Sequence, residues 1–563
     1  MDNSKENLML KNAFILSFAA ILSKVVGAVY QIFLYRVIGA EGSALYAKGI
    51  AFYAMLLAVS AAGISIAISK LMSEEIAKGN TGIAFKIFKV ASLILGIIGI
   101  VLSVGLFFGA PYIASNFYVD PNVTWIIQAT APALLVVTFM AAFRGYFQGQ
   151  QNMGPTAYSQ IFEQLGRIVF SVAITLVYIY FVAGTNLSEV MGVTSRDQSL
   201  VQSIADGVAL GPFVGAIIGF LPIIYFYYKR KNSLNRKITY GNRQSRREAT
   251  TGYLTKRILL FAIPVTLAAL LPTLIDMADA TLIPNVLMGA GLSYKAANAS
   301  FGYFTNTAMI LVNIIILAAS SFAASLVPAI ADARGRKNDQ EVKNKTALSI
   351  KLVTLISLPA AASMFLLSKP IVALIFNEVD NDVYMVLQAS VFMILFMSIY
   401  HSTTGVLQGV GKIYVPLVSL FAGLLVNIGL LNLLLPIKGL NILGAPIAHT
   451  VAYFTAAIIN FIAVKRIVGY RSKWLTWLPQ GLLSALITGA IAYGVYRLFN
   501  LIIGFINEGI LNLLISLIFA VIAGIIVYFI TLVLFRAIKE DEVKSIPKIG
   551  FIFGKIFKRI RRS

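Results

Sequence analysis

Long apolar runs, interrupted by short polar segments, recur along the chain from residue 12 onward. A helix that crosses a bilayer needs roughly 20 predominantly apolar residues at about 1.5 Å rise each. On that criterion the pattern predicts helices near 12–38, 44–69, 86–110, 123–147, 157–183 and 206–228. After a polar break it predicts further helices near 257–284, 299–328, 347–368, 383–408, 414–435 and 442–464. Two more, near 477–499 and 509–536, bring the total to about fourteen transmembrane helices in an all-α polytopic membrane protein. The first apolar stretch has no small-residue cleavage site at a suitable distance, so it reads as a retained span and not as a secretory signal.

The spans are not all independent. Gly145-Tyr146-Phe147-Gln148-Gly149, followed by Pro155, resembles Gly405-Val406-Leu407-Gln408-Gly409, followed by Pro416. Lys70 to Asn80, between the second and third spans, likewise lies opposite Ala329 to Asn338. The chain therefore reads as two six-helix repeats plus two C-terminal helices. Six is an even number, so both repeats begin on the same side and are parallel, related by an axis along the membrane normal. The expected organisation is an N-terminal lobe over 1–228, a basic linker over 229–256 and a C-terminal lobe over 257–470. Two additional spans over 471–536 and a basic tail over 537–563 follow.

Composition agrees with a bilayer as solvent: 58% of the 563 residues are hydrophobic and only 12% are charged. A net charge of +23 would suggest nucleic acid in a soluble protein, but here the cations sit in the short loops between apolar runs. No nucleic acid is expected as a partner. Lys229-Arg230-Lys231, Arg334-Gly335-Arg336-Lys337 and the tail residues Lys558-Arg559 fall on one side, and Asp120, Glu189, Asp197, Glu378, Asp380 and Asp382 on the other. The positive-inside rule then puts both termini in the cytoplasm of a plasma-membrane protein. The tail mixes cations with Ile549, Phe551, Phe553 and Phe557, a composition suited to lying on anionic membrane lipids. Cysteine is absent, which excludes disulfides, thiolate metal sites and thiol nucleophiles.

No enzyme chemistry is legible. Gly405 to Lys412 has the wrong glycine spacing for a phosphate loop, and Ile413 stands where Ser or Thr is required. Transport coupled to sodium, protons or the membrane potential is the simpler expectation, with no cofactor. Polar groups inside the spans are the candidates for a site, because a charge near the bilayer centre costs ~2.5–3.5 kcal/mol on insertion scales and needs a cavity or a partner. Lys24 lies about twelve residues into the first span, ~18 Å from its inner end. Ser17, Lys24 and Gln31 recur every seven residues as one polar stripe. Arg36 ends that span, as an interfacial anchor or a substrate contact. Glu163 and Arg167, flanked by Gln160 and Gln164, are spaced to pair along one face of the fifth span. They serve either helix pairing near an inner gate or the substrate directly. Asp276 and Asp279 follow Pro272 on the seventh span and, with Asn427 of the eleventh, form a candidate site for a monovalent cation. Outer-rim hydration is the alternative for the two carboxylates. His401 and His449 are read first as helix-packing residues and second as proton carriers. A cationic first half favours an anionic substrate.

Arg144-Gly145-Tyr146-Phe147-Gln148-Gly149, Met153-Gly154-Pro155-Thr156-Ala157, Ser159-Gln160 and Glu163-Gln164 with Arg167 resemble one family. It is the polysaccharide-exporter branch of the multidrug/oligosaccharidyl-lipid/polysaccharide superfamily, above all its MurJ- and SpoVB-like members. The resemblance runs from Asn12 to Arg536. It implies a flippase that moves lipid II, an undecaprenyl-pyrophosphate-linked cell-wall precursor, by alternating access. Export of another undecaprenyl-linked glycan, such as a teichoic acid or capsule unit, and drug/cation antiport are the alternatives. It implies that Lys24, within Ser23-Lys24-Val25-Val26-Gly27, meets the pyrophosphate, although Tyr30 and Gln31 stand where related flippases often carry a second arginine; Gln31, Arg36, Gln160, Glu163 and Arg167 are further candidate substrate contacts on their own positions. It also adds weight to a sodium site near Asp276, Asp279 and Asn427, and makes the last two helices a groove for the lipid tail. Cell-wall synthesis proteins are candidate partners.

Overall fold

The computed structural model of the chain describes residues 3–184, 187, 198–240, 250–378, 380–470, 474–504 and 509–538. Most of the segment between the spans predicted near 157–183 and 206–228, the linker segment 241–249 and the basic tail beyond 538 lie outside the described residues, as does the side chain of Ser17. Every regular element among the described residues is helical. In chain order the α-helices are α1 (Asn3–Leu57), α2 (Gly63–Ala77), α3 (Thr81–Asn116), α4 (Thr124–Gly149), α5 (Gly154–Val177) and α6 (Gln198–Val208). Then come α7 (Gly211–Tyr240), α8 (Thr251–Gly289), α9 (Tyr294–Gly302), α10 (Met309–Gly335), α11 (Asp339–Leu366) and α12 (Ser368–Phe376). The last five are α13 (Asn381–Gly409), α14 (Tyr414–Leu434), α15 (Gly444–Val468), α16 (Leu478–Gly504) and α17 (Ile510–Leu534).

Among the described residues thirteen helical stretches are long and apolar enough to cross a membrane, and the first of them, Phe18–Ala77, has 60 residues. A straight helix of that length would span ~90 Å, about three times the hydrocarbon thickness. It is not straight: Gly39 adopts φ 70 and ψ −173 inside α1, a conformation only glycine takes without strain. The stretch is thus two spans joined by a one-residue turn, which restores the count of about fourteen. A π-helical segment, Ala58–Ala62, then joins α1 to α2.

The chain divides into two compact units, one running to Gly302 and the other beginning at Tyr303. The first unit holds the six N-terminal spans together with α8 and α9. Arg257 of α8 grips the end of α2, with Nη1 2.9 Å from Glu75 Oε1 and Nη2 2.8 Å from Glu74 Oε2. Lys70 of α2 lies 4.3 Å from the centroid of the Phe261 ring on α8. Next to these contacts a large apolar core joins α2, α3, α4, α7 and α8, from Ile68 and Met72 through Phe88 and Phe147 to Ile258.

The internal repeat has a packing explanation. In the first unit a Cβ at Gly145 would lie 2.6 Å from the Ser65 carbonyl oxygen, and one at Gly149 would lie 2.9 Å from Met72 Cβ. In the second unit a Cβ at Gly405 would come within 3.1 Å of Val327, and one at Gly409 within 3.0 Å of Ile330. Each Gly-xxx-Gly therefore seats the fourth span of its repeat on the second span of the same repeat. Close backbone approach is the main source of helix attraction where the surrounding lipid is as apolar as the helices.

The two additional helices pack on the second unit. A Cβ at Gly489 of α16 would stand 3.2 Å from the backbone of Ala362 on α11. Phe499 and Phe519 stack at 4.2 Å between α16 and α17.

Candidate functional site

The polar face of the first unit is built on α5. Pro155 stands in the first helical turn, where its missing N–H costs nothing, and Gln160, Glu163, Gln164 and Arg167 then follow at spacings of three and four. Helix α7 presses on this helix through Gly211, Gly215 and Gly219, spaced by four. A Cβ at Gly215 would lie 2.7 Å from the Glu163 carbonyl oxygen, and one at Gly219 would lie 2.5 Å from Glu163 Cβ. This close seating leaves the long side chains of Glu163 and Arg167 directed toward α4 and α1.

Glu163 and Arg167 do not pair with each other as their spacing predicts; each finds a partner on another helix. Arg144 of α4 donates from Nη2 to Glu163 Oε2 at 2.6 Å and to Ser159 Oγ at 2.7 Å. The side chains of this pair are 16% and 28% exposed, so the contact is largely shielded from screening. Arg167 donates from Nη2 to the Tyr46 hydroxyl of α1 at 2.6 Å. Tyr30 and Tyr53 are buried as well. Interhelical partners win because they hold three helices together, whereas an i, i+4 pair contributes only ~0.2–0.5 kcal/mol. The Arg167 Nε and the Gln160 Oε1 are enclosed and have no hydrogen-bond partner among the described residues.

Lys24 and Gln31 both lie exposed on α1. Among the described residues Lys24 makes no hydrogen bond or ion pair. Three residues beyond it, a Cβ at Gly27 would stand 2.9 Å from Gln164 Nε2. The missing side chain at Gly27 thus lets the Gln164 amide touch α1 one turn from Lys24, which brings the lysine stripe beside the polar face of α5. Arg36 is half-buried and engaged in contacts.

A second charged cluster lies at the opposite end of the unit from Arg257. Lys48 Nζ meets Asp120 Oδ2 at 2.7 Å, and both side chains are fully buried. The Tyr294 hydroxyl of α9 donates to Asp120 Oδ1 at 2.8 Å, and Asn122 Nδ2 donates to the Tyr294 oxygen at 3.0 Å. Sequence reading placed Asp120 among the acidic residues of the outer segments and assigned Lys48 no role. The available signal was a lysine inside an apolar run, which demands a partner in the interior. Arg144 was also legible as a motif residue but not as the partner of Glu163.

Asp276 is exposed and Asp279 is buried on α8 of the first unit, and Asn427 is fully buried on α14 of the second. Each is engaged in contacts. Among the described residues no group of three or more His, Cys, Asp or Glu residues is gathered as a metal site. His449 is buried on α15, edge-on to Phe304 at 5.1 Å, a packing arrangement.

Some fourteen apolar spans, parallel packing motifs in two compact units and a cationic interior face define a multi-pass membrane transporter. Comparison with known proteins agrees. The family described as polysaccharide biosynthesis protein matches residues 9–194, and the family described as MatE matches residues 264–433. The chain is 28% identical to the uncharacterized membrane protein YabM of Bacillus subtilis over 100% of this chain and 99% of that protein. It is 23% identical to stage V sporulation protein B of the same organism, over 96% and 98% of the two chains. To the lipid II flippase MurJ of that organism it is 27% identical, over 83% and 84%. A structure of the lipid II flippase MurJ in an inward closed conformation superposes with a TM-score of 0.62 at 14% identity, covering 93% of this chain and 99% of that one. By these matches the chain is similar to transporters and flippases of the multidrug/oligosaccharidyl-lipid/polysaccharide superfamily.

Proposed function

We propose that the protein moves lipid II, a lipid-linked and pyrophosphate-bearing cell-wall precursor, from the inner to the outer leaflet of the bacterial plasma membrane. The observation that carries this reading is Lys24, a cation in the middle of the first span that is exposed and, among the described residues, without a partner. An unpaired charge at that depth is a standing cost unless it faces a hydrated cavity or an anionic ligand. In this reading Lys24 holds the pyrophosphate as a point charge. Gln31 and Arg36 extend the same helix toward the far side, and Gln160 and Arg167 offer further polar atoms from α5. Glu163 orients Arg144 so that its guanidinium stays beside the path. The headgroup enters from the cytoplasm, where both termini lie, while the lipid tail stays in the membrane. Asp276 and Asp279 are proposed for a coupling cation, with protons or the membrane potential as other sources of drive. The homology to a lipid II flippase and the fold shared with a MurJ structure support the reading.

A second reading, export of another undecaprenyl-linked glycan, is favoured by the relatives aligned over nearly the whole chain, neither of which is described as a lipid II flippase. The test is depletion of the protein followed by analysis of which lipid-linked precursor accumulates in the inner leaflet. Lipid II is expected; unchanged lipid II with a different trapped precursor selects the second reading. Lys24→Ala is expected to abolish transport with normal membrane insertion, and Lys24→Arg to keep part of it. Full transport by correctly inserted Lys24→Ala would remove the central cation from the mechanism.

A further inference from the structure

The side of the first unit away from the charged cluster carries a groove that the transport reading leaves unused. Its volume is 510 Å³, within the range of roughly 300–1,000 Å³ common for small-ligand sites. Tyr158 and Phe162 of α5 line it together with Leu221, Pro222, Tyr225 and Phe226 of α7. The rings of Tyr158 and Phe226 stack at 5.8 Å. Tyr158, Phe162, Leu221 and Tyr225 are 53%, 45%, 58% and 59% exposed, so the groove opens sideways from the bundle. In a chain that spans the membrane, that direction is lipid. The glycine seating of α7 on α5 sets the groove's depth, because Ile218 is pressed into the space above Gly166, where a Cβ would stand 2.8 Å away.

Charge at the groove's end indicates which lipid fits. Lys229 lies one helical turn beyond Tyr225, with its Nζ 5.6 Å from the centroid of the Tyr225 ring. From Lys229 to Arg247 the sequence holds eight Lys and Arg and no Asp or Glu. Four to eight basic residues immediately beyond a span match the surface chemistry of anionic lipids. An aromatic trough that ends in a cation at headgroup level matches one amphiphile, apolar along its length and negative at its end.

We infer that the α5–α7 groove is a binding site for an anionic glycerophospholipid, with one acyl chain lying in the groove and the phosphate at Lys229. Phe162 and Glu163 are neighbours on α5, so this lipid braces the outside of the same helix whose inner face carries the charged cluster. The site does not depend on what substrate the protein moves.

The experiment uses the delipidated full-length protein in a neutral detergent, with dioleoyl phosphatidylglycerol and dioleoyl phosphatidylcholine as probes. Their chains are identical, so only the headgroup differs. Phosphatidylglycerol is expected to raise the thermal unfolding midpoint and phosphatidylcholine to leave it nearly unchanged. A phosphatidylglycerol with a photoactivatable acyl chain is expected to label α5 and α7. Leu221→Trp, which fills the groove, should abolish this labelling. Lys229→Gln should weaken phosphatidylglycerol binding about fivefold, the equivalent of ~1 kcal/mol per basic residue at an anionic surface. Phe421→Trp, an exposed aromatic substitution on α14, serves as a control for folding and should bind as the unaltered protein does. Equal labelling of α14 and α5–α7 would mean annular lipid only and would overturn the site. So would undiminished binding by Leu221→Trp, displacement by undecaprenyl phosphate but not by phosphatidylglycerol, or crosslinks joining two copies of the chain through the groove.

Discussion

Lys24 and Lys48 sit on opposite sides of the Gly39 break in α1, and their surroundings differ in kind. Lys24 is exposed and, among the described residues, unpaired, whereas Lys48 is fully buried against Asp120. Moving two charges out of water costs several kcal/mol per ion, and the cost is offset only where every remaining polar atom is satisfied. Tyr294 and Asn122 supply those contacts to Asp120. Removing one partner of such a pair leaves the other charged and stranded, so Lys48→Met is predicted to destabilise the protein by ~3–5 kcal/mol. Lys48→Met combined with Asp120→Asn should recover part of that loss, because the amide oxygen still accepts from Tyr294. Thermal unfolding of the purified variants in one detergent measures both; a single variant as stable as the unaltered protein would show that the pair contributes nothing.

At the scale of elements, glycine decides which helices touch and how closely. The backbone of α7 approaches α5 at Gly215 and Gly219, which leaves no room for a methyl group. Gly219→Val is therefore predicted to force the two helices apart, lowering the unfolding temperature and disturbing the Glu163–Arg144 contact at once. Gly96 on α3 has the opposite environment, with nothing within 4 Å of the place a Cβ would occupy. Gly96→Ala should be neutral or stabilising, by up to ~1 kcal/mol of helix propensity. The comparison separates packing from propensity, since both changes enlarge a helical glycine. A Gly219→Val protein that unfolds no earlier than Gly96→Ala would refute the close-packing argument. The charged residues of α5 show the limit of reading one helix alone. The spacing of Glu163 and Arg167 permits an intrahelical pair, but α4 and α1 present better partners that are distant in sequence.

For the molecule as a whole, the number of spans and their direction follow from different physics. Apolar length sets the number, and the Gly39 turn reconciles thirteen continuous stretches with about fourteen crossings. Direction follows from the bias of Lys and Arg between loops. The absence of cysteine makes direction easy to test, because any introduced thiol is the only one present. Ser195→Cys is predicted to react with a membrane-impermeant thiol reagent in intact cells. Lys337→Cys should react only after the membrane is opened. The reverse pattern would invert the topology and place the cationic run at 229–247 on the outer surface.

The sequence alone determined the helical class and the approximate span count, and it marked Lys24 as a charge inside a span. These depend on local composition and on periodicity, which survive without knowledge of neighbours. Even the Gly-xxx-Gly repeat was visible before its cause, the seating of the fourth span on the second. Tertiary structure decided everything that turns on which helices meet. It paired Glu163 with Arg144, gave Arg167 to Tyr46, buried Lys48 against Asp120 and carried the first compact unit through α8 to Gly302. The physical reason is that a charge in an apolar environment takes the partner that best satisfies its geometry. In a bundle, that partner stands on an adjacent helix whose place in the sequence does not reveal the contact.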